Sequence, residues 1–364
     1  MKLFTVGPVE MFDEVKTIRA DRDSVPYFRT REFSEMMLET DDLLRKFAHA
    51  GEGAKTIYLT ASGTAAMEAT VMNCFTEQDR LLIINGGSFG QRFVDICEVH
   101  HIPHDVLKLE YGTALSEIHL NAFRNNHYTA LLVNIDETST GQLYDIGLLS
   151  DFCKAKGMYL IVDAISSFLC DKFEMAKFNV DAMIASSQKG ACVSPGLSMV
   201  VLSKRLIEER VQRKEIRSLY FDFKDYLKNF QRGQTPYTPA VGICVELYAS
   251  LKMIERIGLE KHLQNIEDIA MDFREKTKML PVSLPSFPLS NAITPIIFEK
   301  PIAYKVFEIL KDTYGIFVNP TGGKLADYSL RIAHIGQTSK KDNAMLVEKI
   351  KEAVCYFMPA IKEA

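Results

Sequence analysis

Seven short apolar runs, separated in several places by helix-length amphipathic stretches, dominate the first two thirds of the chain. They are "TIYLT" (56–60), "RLLIIN" (80–85), "DVLKLEY" (105–111), "TALLVNI" (129–135), "YLIVDA" (159–164), "AMIASS" (182–187) and "LSMVVLS" (197–203). Runs this short and continuously apolar read as strands buried on both faces. Helical periods fall between them at 64–75, 90–100, 115–125 and 146–156. Strand alternating with helix predicts βαβ units, hence an α/β fold with a mostly parallel seven-stranded sheet covered on both sides.

At 364 residues the chain is too long for one ordinary domain. A long helical period runs through about 240–280, and "NAITPIIFEK", a helix near 302–312, "GIFVNP", "LRIAHIG" and a closing helix at 339–356 form a smaller α+β unit. The expected division is a large domain over 1–255 and a small C-terminal domain over 256–364, with the first twenty or so residues packing near the small one.

Net charge is −4, so no basic footprint marks a nucleic-acid partner. No apolar span is long enough to cross a membrane, and the N-terminus lacks a signal-peptide pattern. The seven cysteines are scattered, form no C-x-x-C and mostly sit in apolar runs. They read as buried, reduced thiols, and the expected location is cytoplasmic. His100, His101 and His104 surround Pro103, which breaks the helical spacing a metal pair would use, so no metal site is expected. "AGEGAKT" (50–56) precedes a strand instead of linking strand to helix, and so is not a nucleotide loop.

In an open parallel sheet, ligands sit beyond the carboxyl ends of the strands. After "TIYLT" come Ser62, Gly63 and Thr64 at a helix start, a ready anion site, although Ser and Thr also serve there as plain caps. After "RLLIIN", Phe89 stands in a glycine loop. "DETSTG" follows "TALLVNI", and Asp163 and Lys189 end two further runs, each embedded in apolar sequence. The two charges could simply pair. An ion pair, however, has no need of a phosphate cradle, hydroxyls and a loop aromatic around it. An imine-forming lysine, an acid for a pyridinium nitrogen and a phosphate site together describe a pyridoxal 5'-phosphate pocket.

These residues resemble the class-V aminotransferases of the fold-type I pyridoxal-phosphate enzymes. The resemblance runs in order through "GPVEMFDEV", "YFRTREFSEMM", "TASGTAAMEA", "NGGSFGQR", "DETSTG", "VDAISSF", "SSQKG" and "LRIAHIG". It implies that Lys189 holds the cofactor and that Asp163 partners the ring nitrogen. Ser62, Gly63, Thr64 and Gln188 would bind the phosphate. Phe89 and Ile165 would cover the two ring faces, and Thr138 would lie at the ring edge. "GQTPYTPAVG" resembles the segment that reaches into the neighbouring subunit's site, which nominates Thr235 and Thr238 and implies a homodimer. Arg331 matches the arginine that grips the substrate's acid group, a task suited to its planar fork.

The implied activity is ping-pong transfer of an amino group from a small donor (2-aminoethylphosphonate, alanine or serine) to pyruvate or glyoxylate. Two alternatives stand beside it: a lyase of the cysteine desulfurase kind, and a cofactor-free binding protein that kept the fold. Against the first, desulfurase-like relatives carry histidine where Phe89 stands and a mobile reactive cysteine, whereas Cys355 falls inside the last helix. His334 is either a pocket residue or a strand histidine packed in the core.

Overall fold

The computed structural model describes residues 1–21 and 25–357. Strand β1 (Lys2–Phe4) and helices α1 (Asp13–Ala20) and α2 (Arg31–Phe47) precede the first long strand, β2 (Lys55–Leu59). There follow α3 (Gly63–Cys74), β3 (Leu81–Asn85), α4 (Ser88–Val99), β4 (His104–Lys108), α5 (Glu117–Asn121) and β5 (Ala130–Asn134). A two-residue hairpin, β6 (Asp136–Glu137) and β7 (Gln142–Leu143), precedes α6 (Ile146–Lys156) and β8 (Tyr159–Asp163). Next come β9 (Ala182–Ser186), β10 (Ser198–Leu202), α7 (Lys204–Glu209), α8 (Phe223–Phe230), α9 (Val241–Ile257) and α10 (Leu259–Lys276). The chain continues with β11 (Val282–Ser283), β12 (Ile293–Phe298), α11 (Ala303–Tyr314), β13 (Ile316–Pro320), β14 (Ser329–Ala333) and α12 (Lys340–Cys355).

All seven apolar runs became strands of one sheet, in the order β2-β10-β9-β8-β5-β3-β4. Only β10 runs against its neighbours, β2 and β9; the other pairs are parallel. The side-chain period of two divides the sheet's apolar residues between two cores. Leu82, Ile84, Leu131, Val133, Leu160 and Val162 face one, whereas Leu81, Ile83, Leu132, Ile161, Ile184 and Val200 face the other. Both sets are fully buried, which is why these strands read as unbroken apolar runs.

Two helical stretches differ from the sequence pattern. The one at 115–125 shortens to α5, and the residues after it, rich in Asn, turn instead. The long period over 240–280 divides into α9 and α10 at Gly258, whose φ of +89° a side chain would strain. Beyond α10, a five-stranded sheet of order β1-β13-β14-β12-β11 packs against α10, α11 and α12 around Phe273, Ile296, Val306, Leu330 and Leu346. The N-terminal strand β1 belongs to this second sheet, parallel to β13 from Lys2↔Ile316 to Phe4↔Val318.

Candidate active site

The carboxyl ends of β2, β3, β5, β8 and β9 lie along one edge of the large sheet, and each delivers part of the site. A surface cleft of about 750 Å³ beside Asp41, Lys55 and Lys204 opens at the opposite end of β2. It is not part of the arrangement described next.

Lys189 follows β9 and is 8% exposed, and Asp163 ends β8 and is 5% exposed. They do not form an ion pair, and among the described residues Lys189 Nζ has no hydrogen-bond partner. Asp163 Oδ1 accepts the Ile165 N–H at 2.8 Å, and its second oxygen takes no bond from the chain. Burial pushes the Lys189 ammonium down to about 8, while the carboxyls of Asp136 and Asp163 oppose the shift. Burial likewise raises the Asp163 carboxyl to about 7, against the Ile165 N–H and the Lys189 charge. A buried amine without a partner and a buried carboxyl with one oxygen uncommitted match what the cofactor needs: a free amine for its aldehyde and a free carboxylate oxygen for its ring nitrogen.

The helix start fits a phosphate in the same way. Ser62 is the N-cap of α3, its hydroxyl accepting the Ala65 N–H at 3.3 Å. Gly63 lies so close to Ile165 that a Cβ there would stand 2.5 Å from Ile165 Cδ1 and 3.3 Å from Ser186 Cβ. Only a residue without a side chain lets the helix end approach this closely. Gln188 is joined to Ser186 by a 2.6 Å hydrogen bond. Thr64 accepts a bond from Arg92 Nη1 at 2.9 Å, and the Arg92 guanidinium lies 5.1 Å from the centre of the Phe89 ring.

At the end of β5, Thr138 is buried and its hydroxyl meets Ser166 Oγ at 2.6 Å. Its carbonyl accepts Arg331 Nη1 at 2.8 Å, while Arg331 Nη2 donates to the Pro320 carbonyl at 2.8 Å. Arg331 Nε is buried and unpartnered. The guanidinium thus spans both sheets and keeps a donor in reserve. Thr235 turns its hydroxyl to the Tyr237 carbonyl at 2.6 Å, and Thr238 is exposed. His334 is wholly buried, bonded to Thr294 at 2.8 Å and packed near Phe273. Burial pushes its imidazolium well below the ordinary value, so it is a neutral core histidine.

Several residues of the site carry no assignment from sequence. Arg92 stands in "NGGSFGQR" but shows its role only through its contacts with Thr64 and Phe89. Glu137 is buried and accepts the backbone N–H groups of Phe89 and Gly90 at 3.3 and 2.9 Å. Gly7 crosses over Lys189 so closely that a Cβ would come within 2.8 Å of its Cδ and Cε. "DETSTG" signals that polar groups gather after β5 without saying which acid faces which partner.

A model of the family described as aminotransferase class-V matches residues 15–339 of this chain. The soluble hydrogenase 42 kDa subunit of Anabaena cylindrica is 30% identical over 86% of this chain and 83% of its own length. The serine–glyoxylate aminotransferase of Hyphomicrobium methylovorum is 26% identical over 92% of this chain and 84% of its own. Among solved structures, an aspartate aminotransferase of Thermus thermophilus superposes with a TM-score of 0.89 at 25% identity, covering 97% of this chain and 99% of that one.

Proposed function

Because the chain belongs to the class-V aminotransferase family, and so is a pyridoxal-phosphate-dependent transaminase, we propose that it moves an amino group from a small donor to glyoxylate or pyruvate. Serine, alanine and 2-aminoethylphosphonate are the donors of choice. The observation that carries the reading is the buried Lys189 amine, unpaired, beside an Asp163 carboxyl with one oxygen uncommitted.

Bound pyridoxal phosphate supplies an aldehyde that a primary amine can capture and a ring that accepts electrons from the substrate carbon. Lys189, held near 8 by burial, keeps a sizeable neutral fraction at physiological pH, which makes its nitrogen a nucleophile and a base. Lys189 Nζ is the group that would take the proton from the substrate carbon and give it back as the transfer completes. The uncommitted Asp163 oxygen would accept a proton held on the ring nitrogen. The N-terminus of α3, with Ser62, Gly63, Thr64 and Gln188, would bind the phosphate, Phe89 and Ile165 would cover the ring, and Thr138 would lie at its edge. Arg331 takes the acid group of donor and acceptor in turn, exchanging a carbonyl contact for a charged one.

This order of events is ping-pong. Mixing the loaded protein with serine, alanine, aspartate, glutamate or 2-aminoethylphosphonate, with no acceptor present, should bleach its visible absorbance with at least one of the three proposed donors. Glyoxylate or pyruvate should then restore it. Absorbance untouched by serine, alanine and 2-aminoethylphosphonate would sink the donor assignment. The desulfurase-like alternative is disfavoured by the place of Cys355 in helix α12.

A further inference from the structure

Strand β13 has β1 on one side and β14 on the other. Its Val318 turns into the core shared with α10, α11 and α12, as do Leu330 and Ile332 of β14. Strand alternation therefore turns Asn319 and Arg331, which stand opposite each other in register, to the other face. That face meets the site edge of the large sheet, since Arg331 Nη1 reaches the Thr138 carbonyl at 2.8 Å. Directly opposed residues carry their Cβ atoms about 5 Å apart. Pro295 of β12 stands on the far side of Arg331 and has no polar side-chain atom. Asn319 is thus the polar neighbour of Arg331 in this row.

One contact orients the Asn319 amide. Its Oδ1 accepts the Val6 N–H at 2.7 Å. An N–H can be received only by the carbonyl branch, so the other branch is the NH2 group. Val6 continues from β1, which holds the carbonyl on that side and leaves Nδ2 toward β14 and Arg331. Among the described residues Nδ2 has no hydrogen-bond partner. Arg331 for its part spends its terminal nitrogens on the neutral carbonyls of Thr138 and Pro320, and its Nε is buried and unpartnered. Two adjacent residues on one face therefore hold uncommitted donors, one of them charged, with no anion to receive them. A carboxylate or phosphonate offers more lone pairs than one guanidinium fork fills, and a neutral amide donor beside the fork suits the remainder.

Resting on the reading that Arg331 takes the substrate's acid group, we propose that Asn319 is a second substrate-binding residue, whose Nδ2 donates to that same carboxylate or phosphonate. The Val6 N–H, by holding Oδ1, aims the donor. Because Val6 precedes Gly7, the residue that crosses over Lys189, Asn319 links the cover of the amine to the grip on the acid group. The acid group is common to donor and acceptor, so Asn319 serves both halves of the transfer.

The test uses the full-length chain loaded with pyridoxal 5'-phosphate. Its visible absorbance is bleached by serine, alanine or 2-aminoethylphosphonate and restored by glyoxylate or pyruvate. In Asn319→Ala the concentration giving half the limiting rate should rise roughly ten- to hundredfold in both directions, with limiting rates within about threefold of wild type. The rate at which the cofactor-free chain captures pyridoxal 5'-phosphate should stay as in wild type. If Asn319 merely anchored the Gly7 segment, capture and limiting rates would slow while half-saturation stayed in place, and the proposal would be overturned. Asn319→Asp keeps an acceptor for the Val6 N–H but lacks the donor, so it should shift half-saturation at least as far as the Ala variant. An Asp variant that saturates like wild type overturns the proposal as well. Arg331→Gln in the same assays separates the two readings. A shift there with none in Asn319→Ala strikes Asn319 alone, whereas no shift in Arg331→Gln removes the acid-group reading and this proposal with it.

Discussion

At the scale of single residues, the site consists of groups that the fold leaves unsatisfied, and this has a cost that can be measured. Asp163 carries a proton in the folded chain up to about pH 7, because burial outweighs the help of the Ile165 N–H and Lys189; its ordinary value is 3.8. Between those values the native state binds more protons than the unfolded one, so stability falls as pH rises through the window. At about 1.4 kcal/mol per pH unit, the loss reaches a few kcal/mol by pH 8. Asp163→Asn should remove it. The cofactor-free variant should melt above wild type at about pH 8 and converge with it near pH 4, as followed by scanning calorimetry. Loading with pyridoxal phosphate should reverse the benefit, with turnover down by at least about a hundredfold, because Asn cannot hold the ring-nitrogen proton as a counter-charge. If the Asn variant kept the wild-type dependence of melting on pH, the proton would reside elsewhere. The sequence shows Asp163 and Lys189 as charges in apolar runs, and from that alone they could have been each other's partners. Only the geometry separates them.

At the scale of elements, what was legible followed from burial. The seven strands announce themselves because both faces are covered, and α3 because it starts on a capping serine and is buried nearly all round. The roles of the acids in "DETSTG" were not legible, since a period of two tells which residues oppose each other but not which side meets the helix. Glu137 turned out to be the one that holds α4. Its carboxylate stands at the positive end of that helix, and Gly87 has room for no Cβ, which would lie 2.2 Å from Ser139 Oγ and 2.5 Å from Glu137 Cδ. Through this contact an element after β5 fixes the turn that carries Phe89. Glu137→Gln preserves shape but places an amide where a carboxylate received several donors, at a cost of about 1–3 kcal/mol. It should lower the melting temperature by several degrees and weaken pyridoxal phosphate binding about tenfold, read by thermal melts and by cofactor titration. A variant with wild-type melting and affinity would show that the first turn of α4, which carries Phe89, is held without Glu137. Arg92 was illegible for a related reason: its contacts with Thr64 and Phe89 join the ends of two strands through a helix side chain.

At the scale of the molecule, the site is assembled from segments that the sequence cannot place together: Gly7 over Lys189, Arg331 from the second sheet onto Thr138, and β1 in a sheet otherwise built from the last third of the chain. In a homodimer, the segment carrying Thr235 and Thr238 would extend this logic beyond one chain. Arg29 fixes its backbone through the Thr235 and Pro236 carbonyls, and Ala240 N–H bonds to Thr60 Oγ1, just before the Ser62 cap of α3. Beside it, Tyr27 and Leu219 expose large apolar surfaces, at 67% and 78%. Apolar side chains exposed around a rigid segment are what an interface with a second copy would cover. In a dimer with shared sites, each Lys189 would be served by the threonines of the other chain. Lys189→Ala and the double variant Thr235→Ala, Thr238→Ala should then each be strongly impaired as pure proteins. When the two are mixed, unfolded and refolded together, random pairing makes about half of the dimers hybrids, each with one intact site of two. The mixture should therefore recover roughly a quarter of wild-type activity. A mixture no more active than the mean of its parts would mean that each chain completes its own site, and that Thr235 and Thr238 act, if at all, within it.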